Sequence, residues 1–217
     1  MQAALVLMIV LSTLLGAFSQ KPHHCKSPPY LQGKLLVDFS EGRSVVYEQF
    51  YYDALEQRIR VILAGKEGEH DVFLDRILLY REKVYYDIIY HNKSCIKNSL
   101  DGAFVPIAIP PEAKHRAQVV LGSLSGPAQG LLVNNWVGFD PELKANYSLT
   151  FTEFGCIPIV NMYRIEGTGH FLLSFFDIVV GIEDPTVFIP PEFCSSKTLV
   201  EQRDGKAANF FNALLYA

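Results

Sequence analysis

The sequence predicts a mainly β protein of antiparallel strands that is secreted and disulfide-bonded. Short runs of residues alternate between apolar and polar side chains with the period of two that is typical of half-buried strands. Turn-forming residues separate these runs, and the spacing leaves connections of hairpin length. An apolar leader opens the chain, and all four cysteines follow it. Because disulfides form in oxidising compartments, these observations together favour a secreted protein built from antiparallel sheets.

The leader, residues 1–19, is predicted to be a secretory signal peptide. Its apolar core ends in small residues, and it is shorter than the roughly 20 apolar residues that span a bilayer. It has no charged side chain before the apolar core, so a retained membrane anchor is the alternative. Later in the chain, Phe171–Ile182 is the longest apolar stretch, and Ser174 and Asp177 interrupt it. We therefore expect no transmembrane segment in the mature, extracellular chain.

The remaining chain is predicted to form one β domain, residues 20–194, followed by a tail, residues 195–217. All-β folds often reach about 200 residues as one unit. The tail is predicted to be helical, because a helix over residues 207–216 would group its apolar side chains, which are Phe210, Phe211, Leu214 and Leu215. The net charge of −4 is spread without blocks of like sign, which argues against nucleic acid as a partner.

The strands follow one another along the domain. Residues 58–63 alternate charged and apolar side chains, and in residues 147–152 the pattern turns Tyr147, Leu149 and Phe151 inward. A short helix is possible at residues 111–116. The other predicted strands are Leu35–Phe39, Ser44–Tyr52, Phe73–Tyr80, Val84–Tyr90, Gln118–Leu124, Leu131–Phe139 and Ile159–Ile165.

The run Phe171–Ile182 differs from these strands because it has large apolar side chains on both faces. One face can pack on the domain core. The other face needs a second sheet, a ligand cavity or a partner subunit to cover it. The core of a plain β-sandwich is the simplest of these alternatives.

The cysteine count predicts two disulfide bonds. Four cysteines lie after the leader, which are Cys25, Cys95, Cys156 and Cys194. Three pairings are possible from the count alone. Metal ligation is the alternative, but Cys-x-x-Cys spacing does not occur and the adjacent residues 23–25 cannot surround an ion.

Two sequons, at Asn92 and Asn146, predict N-glycosylation of a secreted chain. Unmodified surface asparagines are the alternative.

Catalytic motifs do not occur in the sequence. In residues 122–126 the position of a nucleophilic serine is taken by leucine, and zinc-protease, phosphate-loop and dinucleotide signatures are missing. We assign no catalytic residue and predict a non-enzymatic protein, although folding could still assemble a serine–histidine–aspartate set. Acidic pairs at residues 140–142 and 183–184 offer oxygen atoms for a weak calcium site, or are solvated loop carboxylates. Calcium is therefore the one candidate cofactor, without assigned ligands.

The stretch from Phe175 to Cys194 resembles the most characteristic block of the ependymin-related family. Further similarity lies in residues 52–61, residues 77–80, the lone Trp136, Cys95 after its sequon, and residues 156–158. The resemblance spans residues 25–194.

The resemblance implies two curved antiparallel sheets around a deep apolar pocket, akin to bacterial lipoprotein carriers. It also implies a secreted or lysosomal glycoprotein, often a homodimer, with bridges Cys25–Cys156 and Cys95–Cys194. A third bridge of many relatives has no counterpart here, since Asp71 or a neighbour occupies one position and no cysteine follows Cys194. Association with calcium and with extracellular matrix is a general expectation of the family.

The leading hypothesis is a non-enzymatic carrier of a lipid or another hydrophobic ligand in an apolar pocket. The candidate pocket residues are Leu172, Phe176, Ile178, Val180, Trp136 and Phe151. The rival hypothesis is a calcium-binding extracellular matrix or cell-adhesion glycoprotein, with the apolar surface buried in a dimer.

Overall fold

The computed structural model describes residues 22–39, 45–67, 70–141, 143–165, 167, 169–195 and 198–200. The expected signal peptide, residues 1–19, and the expected helix at residues 207–216 lie outside this part. The described strands are β1 Tyr30–Phe39, β2 Val45–Asp53, β3 Arg58–Glu67, β4 His70–Leu79, β5 Val84–Ile89, β6 Ser94–Ser99, β7 Lys114–Gly122, β8 Gly130–Asp140, β9 Ala145–Thr152, β10 Pro158–Ile165, β11 Gly169–Val180 and β12 Leu199–Val200. Two short 3₁₀ helices, Pro185–Phe188 and Glu192–Cys194, follow β11. The prediction of a mainly β fold is confirmed.

The strands form one sheet in the order β12-β6-β5-β4-β3-β2-β1-β11-β10-β9-β8-β7. Strands β1–β6 and β7–β11 are two antiparallel meanders whose neighbours are joined by short loops. The two expected sheets are one continuous sheet, because β1 pairs with β11 and so connects the meanders. Periodicity within each strand does not reveal this pairing, since β1 and β11 lie far apart in the chain.

One local expectation is corrected, because residues 111–116 form a turn and the start of β7 instead of a helix. Two described strands were not indicated by the sequence pattern, Ser94–Ser99 and Leu199–Val200. Leu199–Val200 lies in the tail, ahead of the expected helix, and pairs in parallel with β6.

The inner face of the sheet carries the main hydrophobic core. The alternation in β11 turns Phe171, Leu173 and Phe175 to this face, where they join buried side chains from both meanders. At Asp177, whose φ is 53°, the alternation is interrupted opposite a register shift in β1. Ile178 then packs against the inner core.

A crossover segment, residues 100–113, runs over the inner face from β6 to β7. The backbone N–H of Ile107 donates to Tyr52 Oη at 3.0 Å, and that of Ile109 donates to the carbonyl of Cys25 at 3.0 Å. Near the start of the crossover, the Phe104 ring stacks on the Tyr52 ring, with centroids 5.8 Å apart. It meets the Tyr80 ring edge-on, with centroids 5.2 Å apart. The crossover is therefore anchored at several points by the sheet and by the N-terminal segment.

The sheet curves around this crossover. Ile107 bonds Tyr52 of β2, yet it shares a cavity wall with Phe151 of β9. Four strand steps separate β2 from β9, a distance of about 19 Å in a flat sheet. Curvature brings both strands to the same segment and encloses the core.

The outer face of β3–β6 is covered by a strap, residues 181–195. Arg58 lies over the Phe188 ring at 4.6 Å, and Arg60 donates to the Val187 carbonyl at 2.8 Å while pairing with Asp75. A second, smaller core lies under the end of the strap. Its members are Ile77, Leu79, Val84, Tyr86, Ile88, Cys95 and Cys194.

Both disulfides implied by the family resemblance are present. Cys25–Cys156 ties the N-terminal segment to the loop between β9 and β10, and Cys95–Cys194 ties β6 to the strap. Each closes a loop of about a hundred residues, with separations of 131 and 99.

Glu48 is a buried acidic residue in the inner core. By register it lies between Leu35 and Leu63, and neither carboxylate oxygen has a partner among the described residues. Burial raises the pKa of Glu48 to about 8, and the Arg76 guanidinium opposes this increase. Because Arg76 also pairs with Asp87 at 2.6 Å, its charge offsets only part of the cost of ionising the buried Glu48.

We predict that removing the Cys95–Cys194 bridge frees the strap. The chain-entropy model assigns a loop of this size about 4 to 5 kcal/mol of the free energy of unfolding. A variant with both cysteines replaced by alanine should unfold at lower urea concentration, and chymotrypsin should cleave faster at Phe188 and Phe193. The double alanine variant of Cys25 and Cys156 is the control, with lowered stability but unaccelerated cleavage there. Equal cleavage rates in the strap would contradict the prediction.

We also predict that Glu48 makes the protein less stable as the pH rises. Between pH 4.5 and about 8 the unfolded chain has released the Glu48 proton while the folded chain keeps it. Stability therefore falls with pH across this window, by up to about 1.4 kcal/mol per pH unit. Glu48→Gln should remove this slope, so its advantage over the parent should grow from pH 5 to pH 8 in urea titrations. Glu56→Gln, at an exposed pair with Arg81, is the control, and parallel profiles for Glu48→Gln and the parent would refute the prediction.

Candidate functional site

A cavity of about 410 Å³ lies between the crossover and the inner face of β8–β10. Residues 105–112 form its roof, and Lys26, Asp140 and Pro141 lie at its margin. The side chains of the floor are Tyr147, Leu149, Phe151, Asn161 and Tyr163. Its volume lies within the range of ligand pockets, roughly 300 to 1,000 Å³.

The floor follows from the alternation within β9 and β10. Tyr147, Leu149 and Phe151 are the inward-facing set predicted for β9, and all three line the cavity. Tyr163 lies opposite Tyr147 in register and stacks on Phe171 with ring centroids 4.8 Å apart. Aromatic side chains of adjacent strands therefore form a continuous wall.

Tyr147 occupies space left by a glycine. Gly138 is its partner on β8, and a Cβ atom there would collide with the Tyr147 phenol. The Tyr147 ring lies over the Gly138 backbone, where its hydroxyl reaches the cavity wall.

The roof is an irregular, proline-containing segment. Pro106, Pro110 and Pro111 have no backbone N–H to donate, so this stretch is a poor candidate for a sheet strand. Its small and branched side chains, among them Ala108, leave part of the concave face unfilled.

Two buried polar atoms in the cavity wall have no hydrogen-bond partner among the described residues. These are Tyr147 Oη and Asn161 Oδ1. Buried polar groups are nearly always paired, and each one left unpaired costs about 1 to 3 kcal/mol. A ligand that donates a hydrogen bond to either atom would remove part of this cost.

The acidic end of the cavity keeps its phenols protonated. Desolvation raises the pKa of Tyr147 to about 12, with further contributions from the negative charges of Glu112 and Asp140. Burial also raises the pKa of Tyr163, and Asp140 adds to that increase. Both tyrosines therefore remain neutral hydrogen-bond donors at physiological pH.

Of the six pocket residues proposed from sequence, Phe151 lines this cavity and the other five do not. Leu172 and Phe176 lie half-buried on the outer face, because β11 turns its odd-numbered side chains inward. Ile178 fills the inner core beside Gly33, and Val180 is exposed at the end of β11. The sequence showed that both faces of β11 were apolar, but it did not show what covers each.

Trp136 is buried on the inner face, outside the cavity wall. Its ring lies between two imidazoles, with centroids 4.5 Å from His24 and 5.1 Å from His115. Its Nε1 atom has no partner among the described residues. His24 Nε2 donates to the Ala113 carbonyl at 2.8 Å, which secures the end of the crossover.

A second cavity, of about 360 Å³, lies at the start of the crossover. Residues 100–104, Gln57, Tyr80 and Lys83 line it. Tyr80 Oη is buried without a described partner, and burial raises its pKa. Phe104, which contacts Tyr52 and Tyr80, belongs to the wall of this second cavity, and the wall of the first cavity begins at the next residue, Val105.

The proposed calcium oxygens serve local structure in the described chain. Asp184 caps the first 3₁₀ helix by accepting from Thr186, and Asp140 accepts from the Leu143 N–H at 3.0 Å. Groups of three or more metal-binding side chains do not occur among the described residues.

Both sequon asparagines are exposed, Asn92 in the loop between β5 and β6 and Asn146 on β9. In the part of the chain that the structure covers, no helix has the length and apolar character to cross a bilayer.

Comparison with known sequences identifies the relatives of this chain. The Ependymin family model matches residues 68–194, more than half of the 217 residues. Ependymin-2 of Carassius auratus is 32% identical over 180 residues, covering 83% of each chain. Ependymin of Notemigonus crysoleucas is 30% identical, covering 94% of this chain and 95% of the relative. Mammalian ependymin-related protein 1 of Mus musculus is 31% identical, covering 76% and 77% respectively.

The fold is also found in a bacterial crystal structure. An uncharacterized conserved protein from Thermus thermophilus superposes with a TM-score of 0.52 at 11% identity. The match covers 81% of this chain and 91% of the bacterial chain. At this identity the likeness concerns the fold alone.

Proposed function

This chain belongs to the ependymin family, and from that premise we propose that it is a secreted glycoprotein that carries a lipid or similar hydrophobic ligand. The ligand would bind in the cavity between residues 105–112 and strands β8–β10. The observation that carries the proposal is a mostly apolar cavity of about 410 Å³ with two unpaired polar atoms in its wall. Ligand sites have this composition, in which apolar walls supply affinity and a few polar groups fix orientation.

Secretion and glycosylation are supported by the family, since ependymin relatives are secreted extracellular proteins. Residues 1–19 would direct export, and Asn92 and Asn146 would carry the glycans. The exposure of both asparagines supports this part of the proposal.

The proposed role requires binding without catalysis, in keeping with a family of non-enzymatic glycoproteins. We prefer a carrier to a calcium-dependent adhesion protein because an apolar cavity supports the carrier directly. Acidic side chains of the described chain that were candidates for calcium, such as Asp184, instead cap turns.

We predict that filling the cavity abolishes binding of an apolar probe. Ala108→Phe adds a ring to the roof, whereas Ala103→Phe adds the same ring to the second cavity and is the matched control. An environment-sensitive fluorescent fatty amide should bind the secreted parent and Ala103→Phe with one site, and Ala108→Phe at least about tenfold more weakly. Unchanged binding by a folded Ala108→Phe would refute the site. Mass spectrometry of solvent extracts of the native protein would identify the ligand that it carries.

We further propose that the protein is a homodimer that pairs through an apolar patch on the outer face. Tyr47 is 57% exposed, and its ring meets the Phe176 ring edge-on, with centroids 6.5 Å apart. Half-buried neighbours continue the patch across the adjacent strands, namely Leu36, Val160, Met162 and Leu172. A group of exposed and half-buried apolar side chains on one face of a sheet is typical of a subunit interface.

We predict that polar substitution in this patch dissociates the dimer. Analytical ultracentrifugation should show the parent as a dimer and the Tyr47→Ser/Phe176→Ser variant as a monomer at the same concentration. Leu124→Ser is the control, because Leu124 is 85% exposed at the tip of the β7–β8 hairpin. A monomeric parent, or a double variant that remains dimeric, would contradict the proposal.

A further inference from the structure

The polar end of the cavity is built from acidic and phenolic groups of three separate segments. Glu112 comes from the crossover, Asp140 from the end of β8, and Tyr147 from β9. Tyr147 is buried, and Asp140 is fixed because its Oδ1 accepts from the Leu143 N–H at 3.0 Å. Two carboxylates and a phenol therefore define the environment that a ligand head group would enter.

The charge at this end is negative. Desolvation is the main reason that the pKa of Tyr147 is raised, and the carboxylates of Glu112 and Asp140 also disfavour its ionisation. Lys26 is the one cation among the described residues of the cavity wall; Lys26 and Glu112 are exposed, whereas Asp140 is half-buried. The same two negative charges would oppose the carboxylate of a fatty acid placed at this end of the cavity.

The hydrogen-bonding groups of the cavity wall also disfavour a carboxylate head group. Asn161 Oδ1 and the two carboxylates accept hydrogen bonds only, whereas Tyr147 can donate one. Asn161 Oδ1 and Tyr147 Oη have no partners among the described residues. A head group that donates could pair with both unpaired atoms, because Tyr147 Oη can also accept, whereas a head group that only accepts would pair with Tyr147 alone.

We propose that the cavity selects amphiphiles whose head group donates hydrogen bonds and carries no negative charge. A long-chain amine would bind best, a long-chain alcohol less well, and a fatty-acid anion least. This inference rests on the proposed carrier function and names the ligand class of the same site.

Three probes with one chain length test the order. Dodecylamine, dodecanol and dodecanoate, each below its aggregation concentration, would displace the fluorescent amide from the secreted parent at pH 7. The amine should bind at least about tenfold more tightly than the carboxylate, with the alcohol between them. Dodecanoate binding as tightly as dodecylamine would overturn the inference and leave the carrier function standing. Displacement by none of the three would overturn the carrier function itself, and the inference with it.

A variant without these two charges distinguishes their effect on the ligand from a general attraction of the amine to a negatively charged protein. Glu112→Gln/Asp140→Asn keeps side-chain shape, and the asparagine can still accept from the Leu143 N–H. In this variant the preference for the amine should shrink to less than about threefold, chiefly because dodecanoate binds better. Glu82→Gln/Asp101→Asn removes two exposed carboxylates outside this cavity and should keep the parent's preference.

Two further outcomes decide the inference. An undiminished amine preference in a folded Glu112→Gln/Asp140→Asn variant would overturn it. If that variant does not fold, Glu112→Gln alone, at an exposed position, should reduce the preference at least about twofold, and no reduction would overturn the inference as well.

Discussion

The structure depends on how the inner face of one continuous sheet is covered. Because β1 pairs with β11, the two meanders form a single layer, and no second sheet packs against the inner face in the described chain. The sheet instead curves around residues 100–113, which the Tyr52–Ile107 hydrogen bond and the N-terminal segment hold in place. An irregular crossover fills a concave face less completely than the side chains of a second sheet would. The cavity is a consequence of this arrangement.

The two faces of the sheet are covered by different means. The strap, residues 181–195, binds the outer face through arginine contacts and the Cys95–Cys194 bridge. The family resemblance rests mainly on residues 175–194. This block forms the end of β11 and nearly all of the strap. The resemblance therefore identifies a way of closing the outer face, whereas the groups that would choose a ligand lie on the inner face, at Glu112, Asp140, Tyr147 and Asn161.

The local parts of the fold could be predicted from the sequence, and the non-local parts could not. Alternation placed Tyr147, Leu149 and Phe151 on the inner face of β9, where they line the cavity. It did not reveal the β1–β11 pairing or the path of the crossover, which depend on contacts between distant residues. For the same reason Leu172 was assigned to the pocket although it lies on the outer face. Asn161 and Glu112 have no signal in a single sequence, since an isolated polar residue in a strand or loop is usually solvated.

The unpaired buried polar atoms are of two kinds: some only destabilise the fold, and others could also bind a ligand. Glu48 and Trp136 Nε1 are unpaired in the core outside the cavity wall, so in the described chain their cost is borne whether or not a ligand is present. Tyr147 Oη and Asn161 Oδ1 are unpaired at the cavity wall, where a bound molecule could pair with them. A ligand that binds only the folded state raises stability by mass action, and satisfying these two atoms would contribute to its affinity. The cavity therefore couples the stability of the fold to its occupancy, because the groups that destabilise the empty site are the ones that a head group would satisfy.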